Sequence, residues 1–83
     1  MRIDKFLKIS RILKRRAVAN EACQAGKISV NGKVVKPSYN VKVGDVVTIA
    51  FGEGELTFRI DAIKETVKKE EVSSLYTITG KQW

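Results

Sequence analysis

The chain has 83 residues, 43% of them apolar, with one cysteine, no histidine and a net charge of +7. That length suits one small domain with a thin core and leaves no room for two. The lone Cys23 excludes an internal disulfide, and the lack of histidine excludes both a Cys/His metal centre and a histidine general base.

The charge is unevenly placed. Residues 1–36 hold ten Lys and Arg against Asp4 and Glu21, a balance of +8, whereas residues 37–83 balance at −1. Solubility needs no such split, so the basic half reads as an electrostatic footprint for a polyanion, most often nucleic acid. The densest stretch is SRILKRRA (10–17), where Arg11, Lys14, Arg15 and Arg16 surround Ile12 and Leu13. The N-terminus MRIDKFLKIS carries four charges and no secretory signal, and every apolar run is far shorter than a membrane span. A cytoplasmic protein is expected.

In chain order, Arg2 to Ser10 reads as a short helix. Ile3/Leu7 and Ile9/Leu13, with Phe6, form its apolar stripe. Asp4 either caps this helix or sits in its first turn, where a carboxylate suits the positive end. A second helix is expected from about Arg15 to Ala25, closed by Gly26 in a left-handed position, with Val18, Ala22 and Cys23 facing inward. Cys23 is read as a small core residue.

From residue 27 the period changes to two. ISV, Asn31-Gly32 and KVV make a hairpin signal, because a type I′ turn needs positive φ at both central residues. Pro37-Ser38 ends that strand and Gly44-Asp45 makes another turn. VVTIAF (46–51) reads as a buried strand, GEGE (52–55) as a turn too acidic to cradle phosphate, and LTFRIDAI (56–63) as an alternating strand. KETVKKEEVSS (64–74) reads as a solvated loop with a helical turn. LYTIT (75–79) is the last strand, and residues 81–83 a tail. The class is α+β: two or three short N-terminal helices packed on a small, mostly antiparallel sheet of four or five strands.

RIDKFL, KRRAVANEACQAG, ISVNGKVVKPSYNV and VKVGDVVTI, in that order over residues 1–51, resemble the small RNA-binding domain named after ribosomal small-subunit protein four, the S-four domain. The resemblance implies that the two helices and the hairpin form an RNA-reading surface, the alpha-L motif. It implies one such domain over 1–83, with C-terminal strands over 52–79. IKETVKKEEVSSLYTI (63–78) is similar to the end of the short stand-alone bacterial members that act in ribosome quality control. The related heat-shock member carries a long basic extension instead.

For function, the resemblance implies binding to large ribosomal subunits obstructed by peptidyl-tRNA, with contacts to large-subunit rRNA and to the tRNA. It also implies support of a large factor that adds C-terminal alanine tails, no catalysis, no metal or cofactor, no membrane, and a monomer off the ribosome. A general recycling role for blocked subunits is the alternative within the family.

Arginine suits phosphate through its planar fork and permanent charge. Arg11, Arg15 and Arg16 flank the inter-helix turn, Arg2 and Lys5 begin the first helix, and Lys27 and Lys33 lie at or near the hairpin. Lys8, Lys14 and Lys36 complete the expected RNA-binding set. Asp4 belongs to the patch either as a cap or by orienting Arg2, Arg15 or Arg16. Tyr39, Tyr76 and Trp83 are candidates for base stacking, with packing the better reading for Tyr76. A DNA-binding helix-turn-helix fits poorly, because AVANEACQA offers mainly Asn20, Glu21 and Gln24 as base readers.

Overall fold

The computed structural model describes residues 1–82. Its elements run α1 (Ile3–Ile9), α2 (Arg16–Gln24), β1 (Ile28–Val30), β2 (Lys33–Val34), β3 (Val46–Phe51), β4 (Gly54–Ile60), a 3₁₀ turn (Lys69–Ser74) and β5 (Tyr76–Gln82). The five strands form one antiparallel sheet in the order β2-β1-β3-β4-β5. This is the expected α+β architecture.

Local chemistry explains the elements. Asn31 and Gly32 take φ of 51° and 85°, the left-handed pair that a tight hairpin turn requires. Gly26 closes α2 at φ 75°, and Lys27 N–H returns to the Ala22 carbonyl at 3.0 Å. In β4, Leu56, Phe58 and Ile60 point inward while Glu55 and Arg59 face water. Phe58 then joins the layers. It stacks on Phe6 of α1 at 6.4 Å and meets the edge of Tyr76 in β5 at 5.6 Å. Ile3, Phe6 and Leu7 lose all solvent exposure, and each such burial stabilises the fold by roughly 1.5–3 kcal/mol.

Several expectations need correction. Cys23 and Ala22 face the core as expected, but the third inward residue of α2 is the fully buried Ala19 and not Val18, which is 44% exposed. One position is a rotation of about 100°, and an alanine-rich helix offers little contrast to mark its inner side. α1 stops at Ile9, so Leu13 is not on a helical stripe. Together with Ile12 it ties the inter-helix turn to the core. β3 is half-buried, because only Val47 and Ile49 turn inward. The turn after β3 is confined to Gly52-Glu53, and β4 already begins at Gly54. β5 runs on through Gln82, since the expected tail residues Lys81 and Gln82 pair with Leu56 and Glu55. Tyr76 is packed against Phe58, as expected. Trp83 lies outside the described residues.

Candidate nucleic-acid interface

The N-terminus is sewn to the segment after the hairpin. Ile3 N–H donates to the Tyr39 carbonyl at 2.8 Å, Val41 N–H donates to the Met1 carbonyl at 2.9 Å, and Arg2 bridges to Asn40. These bonds bring Arg2 beside Lys36, although 34 residues of chain separate them. One shallow groove is lined by both, and Asn20 and Gln24 of α2 line it too.

Asp4, with 2% exposure, lines a neighbouring pocket together with Arg2, Arg16 and Asn20. It lies in the first turn of α1 and is not its cap, which is Arg2. Arg2 grips it with two donors, Nε to Oδ1 at 3.2 Å and Nη2 to Oδ2 at 3.1 Å. Arg16 Nη2 reaches Oδ1 at 3.4 Å and Asn20 Nδ2 reaches Oδ2 at 3.4 Å, while Lys5 N–H donates to Oδ1 at 2.8 Å. Burial alone would raise the Asp4 carboxyl, but hydrogen bonds from Arg2, Asn20 and Arg16 outweigh it and hold the group below its usual range. Of the two open readings of Asp4, orientation of arginines is the one seen. Its partners are Arg2 and Arg16, and Arg15 is not among them. Both arginine side chains remain about half-exposed, at 47% and 48%. Their remaining donors are therefore available to an anion while one carboxylate fixes their position.

A second groove lies at the other end of α1. Lys8, Arg11 and Lys14 line it, facing Glu65 and Thr66. Arg11 takes φ 60° where glycine would be usual, at a cost of roughly 1 kcal/mol. Its position just past the last turn of α1 places a cation where helix carbonyls concentrate negative charge. Lys5 is engaged in an ion pair with Glu65.

The expected basic residues thus divide. Arg2 and Arg16 gather around Asp4, Arg2 also lines a groove with Lys36, and Lys8, Arg11 and Lys14 line another. Arg15 is exposed at the start of α2. Lys27 and Lys33 are exposed but line neither groove. Sequence singled out neither Glu65 nor the buried Asp45, and named Asn20 only as a base reader in the DNA-binding alternative; their contacts span 60, 14 and 16 residues, with no local signal. Cys23 is buried as expected, and burial, with the nearby Asp4 charge, pushes its thiol up to about 11. Tyr39 is half-buried and directs its hydroxyl to Asp45. Among the described residues no helix is long and apolar enough to cross a membrane, and no group of three or more His, Cys, Asp or Glu is placed to hold a metal.

This geometry has close relatives. The family model for the S4 domain matches residues 1–47. The "RQC P-site tRNA stabilizing factor" of Halalkalibacterium halodurans is 53% identical over 78 residues, covering 94% of this chain and 89% of that protein. Its counterpart in Bacillus subtilis is 49% identical, covering 94% and 91%. Among solved structures, heat shock protein 15 of Vibrio cholerae superposes with a TM-score of 0.86 at 34% identity, covering 95% of this chain and 81% of that one. With its two helices, its hairpin and its family match all in the same stretch of sequence, the chain belongs to the S4 domain family.

Proposed function

We propose that this protein is a non-catalytic RNA-binding factor of bacterial ribosome quality control. In this reading it binds large ribosomal subunits obstructed by peptidyl-tRNA, contacts large-subunit rRNA and the tRNA, and supports alanine tailing of the stalled chain by a larger factor. It works in the cytoplasm, as a monomer when off the ribosome, and needs no metal or cofactor. The observation that carries the reading is the Asp4 clasp, which holds Arg2 and Arg16 half-exposed, with Arg2 also lining the groove that Lys36 lines. Rigidly placed guanidinium groups suit structured RNA, which is read largely through shape, phosphate and ribose hydroxyls. The relatives favour this role over general subunit recycling, because identity is 53% to the tRNA-stabilizing factor and 34% to the heat-shock protein.

The test is sucrose-gradient co-sedimentation of tagged wild type and Arg16→Ala from stressed bacterial cells, with sequencing of the bound RNA. Wild type should travel with large subunits carrying tRNA, and the variant should bind about tenfold more weakly, roughly 1.4 kcal/mol. Wild type at the top of the gradient overturns the proposal. In vitro, neutralising four to six phosphates should give a slope of log affinity against log salt of about −3 to −5.

A further inference from the structure

Glu65 is the one acidic side chain lining the Lys8–Arg11–Lys14 groove among the described residues, and it is 72% exposed. Its position is built. Ile63 and Val67, two residues to either side, pack against the core. The start of the segment is pinned by Asp61 and Ala62 N–H groups donating to the Leu75 carbonyl at 2.8 and 3.2 Å. So the C-terminal half delivers a carboxylate, across 60 residues of chain, onto Lys5 of α1. The contact lowers the Glu65 carboxyl below its usual range, chiefly through the Lys5 hydrogen bond.

A carboxylate held on an ammonium beside Lys8, Arg11 and Lys14, which form no ion pair among the described residues, does there what a phosphate oxygen would do. Resting on the RNA-binding reading above, we propose that Glu65 is an intramolecular competitor of RNA phosphate. RNA entering the groove displaces its carboxylate from Lys5, and the affinity of this face is set by that exchange. Lys8, Arg11 and Lys14 meet the phosphate backbone first, and Lys5 joins only when an incoming phosphate replaces Glu65. The groove therefore favours RNA that can place several phosphates there together over RNA that offers one.

The test uses the full chain, a labelled unmodified transfer RNA transcript and a series of potassium chloride concentrations. Wild type is compared with Glu65→Gln, Lys5→Ala and the double variant. Glu65→Gln should bind about two- to fivefold tighter, the scale of one exposed ion pair. Its gain should shrink as salt rises, because salt screens the Lys5–Glu65 pair that wild type must break, which makes its salt slope slightly steeper than that of wild type. In the Lys5→Ala background the same substitution should bring no gain, because the competed group is gone. Unchanged affinity and slope in Glu65→Gln, weaker binding by it, or an equal gain without Lys5 each overturn the competitor role while leaving the RNA reading in place. Wild type that shows no salt-dependent binding to the transcript overturns both.

Discussion

Asp4 and Asp45 are both buried, at 2% and 8% exposure, but the molecule satisfies them in opposite ways. Asp4 draws two guanidinium groups, Arg2 and Arg16, with Asn20 in support. Asp45 draws neutral donors: Asn31 Nδ2 at 3.1 Å, the Tyr39 hydroxyl at 3.4 Å and the Lys42 backbone N–H at 2.9 Å. One carboxylate cannot cancel two cations, so the Asp4 cluster keeps net positive charge at the surface. Among the described residues the Asp45 carboxylate forms no ion pair and instead fixes backbone. Asn31 also accepts from Val46 N–H at 3.0 Å, so the hairpin turn, the Gly44-Asp45 turn and the start of β3 are bolted together. The same residue type shapes an electrostatic surface in one place and chain geometry in the other.

The largest effect that would break this contrast is on stability. Asp45→Ala strands Asn31 and Lys42 N–H without their acceptor, and should cost about 2–3 kcal/mol. For a domain of this size that lowers the melting temperature by roughly 10–20 °C. Urea unfolding measures it. A loss under about 0.5 kcal/mol, the range of ordinary surface substitutions, would mean that the turns hold without the carboxylate.

Asp4→Asn sharpens the other side. The substitution keeps shape but removes the charge that holds two half-exposed arginines, so it should cost only about 1 kcal/mol. It raises net charge by one, yet RNA affinity should fall about threefold, because orientation of the two forks is lost. Tighter RNA binding would show that bulk charge outweighs orientation. The pH dependence carries a defined sign. The folded Asp4 carboxyl lies below its ordinary value of 3.8, so its stabilising contribution is complete above that value and fades as pH falls through the folded one. Wild type should therefore lose, below about pH 4, a component of stability that Asp4→Asn never had. Parallel stability curves for the two proteins through that range would remove Asp4 from the linkage.

The two clusters also differ in how they could be read from sequence. Residues 1–36 announced themselves by charge alone, and Arg2, Lys5 and Arg11 to Arg16 stood out because cations this close repel unless something uses them. The Asn31-Gly32 turn and the alternation of Leu56, Phe58 and Ile60 were equally legible, since positive φ and period two each leave a residue-level mark. Asp45 left none. It reads as half of a Gly-Asp turn, and its acceptor role depends on Asn31, 14 residues earlier. Glu65 sits in a run of mixed charge and gains meaning only when the fold lays it on Lys5. The division of the cations into two grooves was hidden for a related reason. Whether Lys36 joins Arg2 depends on the backbone bonds between residues 1–3 and 39–41, which leave no pattern in either segment.

The smallest effect concerns Tyr39, whose hydroxyl reaches Asp45 and whose ring packs against the core. Burial raises the phenol above its ordinary value of 10.0, and the Asp45 charge and hydrogen bond raise it further. Its contribution to stability is therefore complete below that value and is lost as pH rises through the folded one. The ultraviolet difference between wild type and Tyr39→Phe isolates this phenol from Tyr76, and its midpoint should lie above 10.0. Adding Asp45→Asn should move it back toward the ordinary value, since the substitution removes the charge and weakens the acceptor. A midpoint that ignores Asp45 would detach Tyr39 from the cluster and leave the amide of Asn31 and the N–H of Lys42 to hold the carboxylate. It would also return Tyr39, half-exposed beside the segment that carries Lys36, to the set of aromatic rings available for base stacking.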